Sequence, residues 1–130
     1  AFEWTAQYVK ERQAFGQRVA DFQNTRFKLA GLWAELQAGR AYCDQLLGLH
    51  MAGQLDAVGA SAGKLWHSEL LGRVTDECLQ LHGGYGYMHE YPIARAFVDA
   101  RIERIYAGTS EIMKEIIARA VCDEGREGRA

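Results

Sequence analysis

The side chains able to do chemistry are few, and they gather at two breaks in an otherwise helical pattern. Glu90, Glu103 and Glu111 stand beside those breaks and are the candidates for acid–base work. A carboxylate at a helix end is more often a solvated charge, so their types alone assign no role. His50, His67, His82 and His89 show no metal-ligand spacing with a carboxylate, and no metal site is expected. Cys43, Cys78 and Cys122 are odd in number, far apart and outside any CxxC pair. They read as reduced, buried thiols, not as a disulfide scaffold or zinc centre. No GxSxG elbow is present. Gly83-Gly84-Tyr85-Gly86 is neither a GxGxxG nor preceded by a strand, and a phosphate loop would need a lysine it lacks.

The first break, Leu81 to Pro92, holds three glycines, three tyrosines and the only proline of the chain. One reading is a helix stop with packed aromatics. The other is a backbone surface, flanked by flat amphipathic rings, shaped to meet a ligand or a partner subunit. The second break is Ile105-Tyr106-Ala107-Gly108, after which Thr109 or Ser110 can cap a helix with Glu111 in its first turn.

Around these breaks the apolar spacing predicts helices. The first covers Ala1 to Gln13, with Phe2, Ala6 and Val9 on one face, and stops near Ala14-Phe15-Gly16. Arg12 falls in its last turn, where complementing the dipole is reason enough for a cation. A link from Gln17 to Gln23 leads to a long helix capped by Asn24 or Thr25 and ending near Gly53. Its apolar positions include Leu32, Trp33, Leu36, Cys43, Leu46 and Leu47. Gly31, Gly39 and Gly48 weaken that helix by roughly 1 kcal/mol each but permit close approach of a neighbour. A third helix covers Ala57 to Leu81 and stops at Gly83. The fourth starts at Pro92, where a missing N–H is harmless, and runs to about Arg104. The last carries Ile112, Met113, Ile116, Ile117 and Ala120 and ends near Cys122. No segment alternates like a strand. The expected fold is all-α: an antiparallel four-helix bundle with a short extra helix over residues 1–123, followed by a charged, glycine-punctuated flexible tail over 124–130.

Hydrophobic residues make up 48% and charged residues 25% of the 130, a globular composition. The net charge of −2 argues against a general nucleic-acid or membrane-surface binder, and no apolar run approaches a membrane span. Helical pattern is already present at Ala1 without a cap, so the chain is expected to be a piece of a longer protein.

Three blocks, in order, resemble the C-terminal helical domain of the FAD-dependent acyl-CoA dehydrogenases. They are Tyr8-Val9-Lys10-Glu11-Arg12-Gln13-Ala14-Phe15-Gly16 with Gln23; Gln80-Leu81-His82-Gly83-Gly84-Tyr85-Gly86-Tyr87 with Glu90-Tyr91-Pro92; and Arg104-Ile105-Tyr106-Ala107-Gly108-Thr109-Ser110-Glu111-Ile112. The resemblance implies a three-domain flavoprotein of fatty acid β-oxidation that oxidises acyl-CoA to trans-2-enoyl-CoA. It implies an electron-transfer flavoprotein as acceptor and a homotetramer with FAD held across a subunit boundary. Such an enzyme would be cytoplasmic in a bacterium and in the mitochondrial matrix of a eukaryote. By the same resemblance, Arg12, Phe15, Gln23, Gln80, Leu81, His82, Gly83 and Gly84 contact the FAD of a neighbouring subunit. Thr109, Ser110 and Glu111 contact the subunit's own FAD, and Tyr106, Ala107 and Gly108 line the thioester end of the acyl-CoA.

One position departs from the common pattern. Many family members carry the catalytic glutamate where this chain has Ala107, and a methyl takes no proton. A branch with long-chain and isovaleryl substrates carries its glutamate on the preceding helix. By that pattern the base lies roughly four turns before Ala1, and the chain alone is inactive. Met113-Lys114-Glu115 and Leu81-His82-Gly83-Gly84 lean toward the long-chain branch. The alternative is a non-catalytic relative used as an oligomerisation or binding module.

Overall fold

The computed structural model describes residues 1–123. Its helices are α1 (Phe2–Glu11), α2 (Gln23–Met51), α3 (Ala57–His82), α4 (Pro92–Ile102) and α5 (Ser110–Asp123). α3 is the hub, and each of the other four packs against it. α2 and α3 form an antiparallel hairpin, as the cross-helix pairs Lys28–Glu77, Glu35–Arg73 and Gly39–Leu70 require. The expected all-α bundle is therefore the observed architecture. The predicted tail, 124–130, lies outside the described residues.

The core runs along α3. Leu70, Val74 and Cys78 meet Leu32 of α2 and Ile93 of α4, with Phe2, Leu36, Leu79 and Tyr91 packed around them. Gly39 lets the hairpin close: a Cβ there would come 2.7 Å from Leu70 Cδ2 and 2.9 Å from a Trp66 ring carbon. Gly31 and Gly48, expected to serve the same end, face open space. His67 spans the same seam. Its Nδ1 lies 2.7 Å from the Gly63 carbonyl and its Nε2 3.0 Å from that of Gly39. A neutral ring can donate to only one of the two.

Several local expectations change. Gln13–Ala14 and Gln17–Arg18 pair as a two-residue antiparallel ribbon, too short to show alternation in sequence. α2 begins at Gln23 behind Phe22, without a side-chain cap, because the chain enters the helix early and buries Thr25 in its first turn. Asp56 caps α3, accepting from the Gly59 N–H at 2.6 Å, and α3 runs one residue further, to His82. Thr109 accepts from the Ile112 N–H at 3.3 Å ahead of α5.

Burial is also narrower than the apolar pattern implied. Only one stripe of α2 faces α3, so Trp33 is 56% exposed, and on α5 Met113 is buried while Ile112 is 52% exposed. Trp33 joins Trp4 and Leu71 along an apolar groove of about 850 Å³ between α1, α2 and α3. Of the three thiols, only Cys78 is buried, where lost solvation raises its pKa. Cys43 and Cys122 are exposed, Cys43 along that open groove.

Candidate functional site

The end of α1 and the end of α3 come together at one edge of the bundle. Tyr8 stacks on His82, with ring centroids 4.2 Å apart, and its hydroxyl donates to the His82 carbonyl at 3.2 Å. His82 is only 5% exposed, and its Nδ1 sits 2.8 Å from the Cys78 carbonyl. A carbonyl only accepts, so Nδ1 carries the proton and the ring is held in one tautomer when neutral. Tyr91 meets both rings edge-on, and Tyr85 tilts against Tyr91. Lost solvation is the main cause that raises the Tyr8 pKa, opposed by the Arg12 charge, so the phenol keeps its proton at neutral pH.

Arg12 lies just beyond α1, one helical turn from Tyr8 and on the same side. Its N–H donates to the Tyr8 carbonyl at 2.8 Å, and its guanidinium carbon stands 4.9 Å from the centre of the Tyr85 ring. The side chain is thus turned over the glycine–tyrosine segment and leaves its planar fork accessible. Together with Gln80, Leu81, His82, Gly83 and Gly84 it lines a cleft of about 600 Å³, floored in part by Val19 and Met88. Tyr8, Tyr85 and Tyr91 support this cleft; the sequence had marked the tyrosines of the glycine break as flat rings beside a contact surface but gave Tyr8 no role. The signal for Tyr8 was its four-residue step from Arg12.

The glycines of this segment serve different ends. Gly83 has φ +58° and ends α3. A Cβ on Gly86 would meet the Leu79 carbonyl oxygen at 2.5 Å, so Gly86 is required by packing. Gly84 has no positive φ, and a Cβ there would meet nothing within 4 Å. Among the described residues nothing demands a glycine at that position, and it lies open at the mouth of the cleft.

Phe15 and Gln23 are outside the cleft lining. Phe15 is at the tip of the ribbon, 97% exposed and at φ +53°, followed by Gly16 at φ +80°. Two positive φ values suit the type I′ turn that joins such strands, but a phenylalanine there costs about 1 kcal/mol. Its ring meets Phe22 edge-on, with centroids 6.4 Å apart. Exchanging Phe15 for asparagine is expected to raise stability by up to about 1 kcal/mol in thermal unfolding, since asparagine tolerates the turn.

The third block is elsewhere. The turn Tyr106–Gly108 and the start of α5 pack on the first half of α3, near Lys64 and Glu69. Lys64 and Gly83 are about 28 Å apart along that helix. Ala107 and Gly108 have φ +52° and +99°. Ser110 is buried, and its hydroxyl donates to Glu69 at 3.0 Å. Of the candidate carboxylates, Glu103 accepts from the Tyr106 hydroxyl at 2.5 Å, which chiefly accounts for the raised Tyr106 pKa. Glu111 has a lowered pKa, first through its own backbone N–H and then through Thr109. That makes it a poorer base than an ordinary carboxylate. Glu90 is exposed. Among the described residues no group of three His, Cys, Asp or Glu is placed to hold a metal, and no helix is long and apolar enough to cross a membrane.

An all-helical bundle with an aromatic-backed glycine cleft at one end of its central helix and a left-handed turn near the other defines a recognisable domain type. The model of the acyl-CoA dehydrogenase C-terminal domain matches residues 1–122, and the chain belongs to that family. It is 53% identical over 123 residues to the mitochondrial long-chain specific acyl-CoA dehydrogenase of Mus musculus, covering 95% of this chain and 29% of the relative. An acyl-CoA dehydrogenase from Geobacillus kaustophilus superposes with a TM-score of 0.90 at 49% identity, over 93% of this chain and 32% of that one. A glutaryl-CoA dehydrogenase from Mycobacterium smegmatis, solved in complex with FADH2, superposes at 0.89 with 29% identity, over 94% of this chain and 32% of that one. The chain thus spans about three tenths of the length of the relatives it matches.

Proposed function

We propose that the full-length protein containing this domain is an FAD-dependent acyl-CoA dehydrogenase that converts acyl-CoA to trans-2-enoyl-CoA. The observation that carries this reading is Gly84, exposed at the mouth of the cleft, with no positive φ and no neighbour to exclude a side chain. A glycine that none of the described residues requires fits the close approach of something else. Beside it, the Arg12 guanidinium offers the planar fork that suits a pyrophosphate. The residues present therefore fit the cofactor. Arg12 and the Gln80–Gly84 backbone would hold it, and FAD, when bound, supplies the two-electron oxidant.

The separation of the two candidate regions along α3 supports two flavins per domain environment, one from a neighbouring subunit at Arg12 and one near Thr109–Glu111. That arrangement needs a homo-oligomer, and we assign a tetramer. The Tyr106–Gly108 turn faces the thioester, and electrons leave to an electron-transfer flavoprotein. The substrate loses a proton from Cα to a carboxylate and a hydrogen with its electron pair from Cβ, and the double bond forms between them. Ala107 cannot take the proton, and in the long-chain branch that the sequence resembles the glutamate stands on the preceding helix, so we assign the base upstream of Ala1. The 53% identity to a long-chain enzyme supports the long-chain branch. The enzyme would act in the cytoplasm of a bacterium or in the mitochondrial matrix.

Ala107 also favours a second reading, a non-catalytic relative that keeps the fold for oligomerisation. Purification of the full-length protein separates the two. The enzyme reading expects bound flavin and bleaching of its absorbance on adding a long-chain acyl-CoA, and a protein that retains no flavin and gives no enoyl product would overturn it. Arg12→Lys is expected to weaken flavin retention about tenfold, because a point charge replaces a two-pronged donor. Equal flavin content in both proteins after gel filtration would remove Arg12 from the site.

A further inference from the structure

The turn at Ala107–Gly108 is held by two separate devices. Its ends are tied to each other: the Ser110 N–H donates to the Arg104 carbonyl at 3.0 Å. Both ends are also tied to one carboxylate. Glu69 of α3 accepts from the Ser110 hydroxyl at 3.0 Å and pairs with the Arg104 guanidinium at 3.3 Å. Gly72, one helical turn further along α3, leaves room for that guanidinium, which a Cβ would strike.

The middle of the turn depends on a different residue. Lys64 Nζ donates to the Gly108 carbonyl at 2.5 Å, a charge-assisted bond from the first half of α3. Beneath it, the Met113 methyl fills the space that a Cβ on Gly108 would need, 2.5 Å away. A peptide unit is planar and trans, so a carbonyl drawn toward α3 sends the Thr109 N–H of the same unit to the opposite side. The direction of this one peptide plane therefore decides which polar groups the exposed face of the turn presents. Two consecutive left-handed residues, one of them alanine, do not fix that plane by themselves.

We propose that Lys64 is a positioning residue for the dehydrogenation: by holding the Gly108 carbonyl against α3, it sets the face that the Ala107–Gly108 turn presents to the acyl-CoA thioester. This rests on the reading of Tyr106–Gly108 as the thioester-lining stretch. Lys64 need not touch the substrate and acts through the backbone of the turn. The Glu69 tie holds the ends whatever occupies position 64.

The test uses the full-length holoenzyme with Lys64→Met, which keeps the aliphatic stem and removes the donor, and Lys64→Arg, which keeps a cationic donor. In the methionine variant, the carbonyl carbon-13 resonance of Gly108, in selectively labelled protein, is expected to shift upfield as the charge-assisted bond is lost, while amide exchange in the core of α3 and the flavin content stay unchanged. Its kcat is expected to fall about a hundredfold, the scale set by a small misplacement of reacting groups. The arginine variant is expected to recover a substantial part of that loss. An unchanged Gly108 carbonyl resonance in Lys64→Met would overturn the brace itself. A shifted resonance with unchanged kcat and KM would overturn the positioning role. A wild-type holoenzyme whose Gly108 carbonyl shows the hydrogen-bonded shift yet dehydrogenates no acyl-CoA would instead refute the functional reading, and the positioning role with it.

Discussion

Gly84→Val in the full-length protein is expected to leave folding intact and to strip the flavin. A Cβ at position 84 meets no atom of the described residues within 4 Å, and the backbone there is not left-handed. Thermal unfolding of the flavin-free protein should therefore shift little. The branched side chain projects into the space where a cofactor would approach. Flavin binding should weaken about a hundredfold, the cost of forcing several carbons into a filled contact. Its counterpart two residues on behaves in the opposite way. Gly86→Ala puts a methyl against the Leu79 carbonyl, and the chain is expected to lose about 2 kcal/mol of stability. Fluorescence-monitored unfolding and flavin absorbance, measured on both variants, separate packing from cofactor approach. If Gly84→Val binds flavin like the parent, the cleft does not face the cofactor.

Loss of the carboxylate proposed upstream of Ala1 is expected to carry the other large effect. Changing the glutamate expected roughly four turns before Ala1 to glutamine should lower kcat by about a thousandfold, the contribution of a positioned general base. Flavin retention and oligomeric mass should be unaffected, because neither depends on proton transfer. Single-turnover bleaching of the flavin reads the step directly. A glutamine variant as fast as its parent would place the base elsewhere. Glu103 would then be the first alternative, since it already accepts from Tyr106 near the turn.

Much of the candidate site was legible because it lies at punctuation. Glycine and proline act locally, so the end of α3 at Gly83 and the start of α4 at Pro92 could be placed nearly to the residue. The caps were less legible, since Asn24, Thr25 and Asp56 all have capping side chains and only the entry angle of the chain selects among them. Burial misled for the same kind of reason. Trp33, Ile112, Cys43 and Cys122 follow helical periodicity, but how wide a stripe is covered depends on which neighbours exist.

The sequence by itself determined five helices, two glycine breaks, and three blocks whose order identifies the family. Spacing along a single helix carries that information. Tertiary structure alone decided how the pieces work together. It stacked Tyr8 on His82, although they are far apart in the chain, and laid Arg12 over Tyr85. It separated three identical-looking glycines into a stop, a packing contact and an open approach. It brought Lys64 to the carbonyl of Gly108. These contacts form where α1 and the turn before α5 pack on α3, and periodicity within one helix says nothing about them.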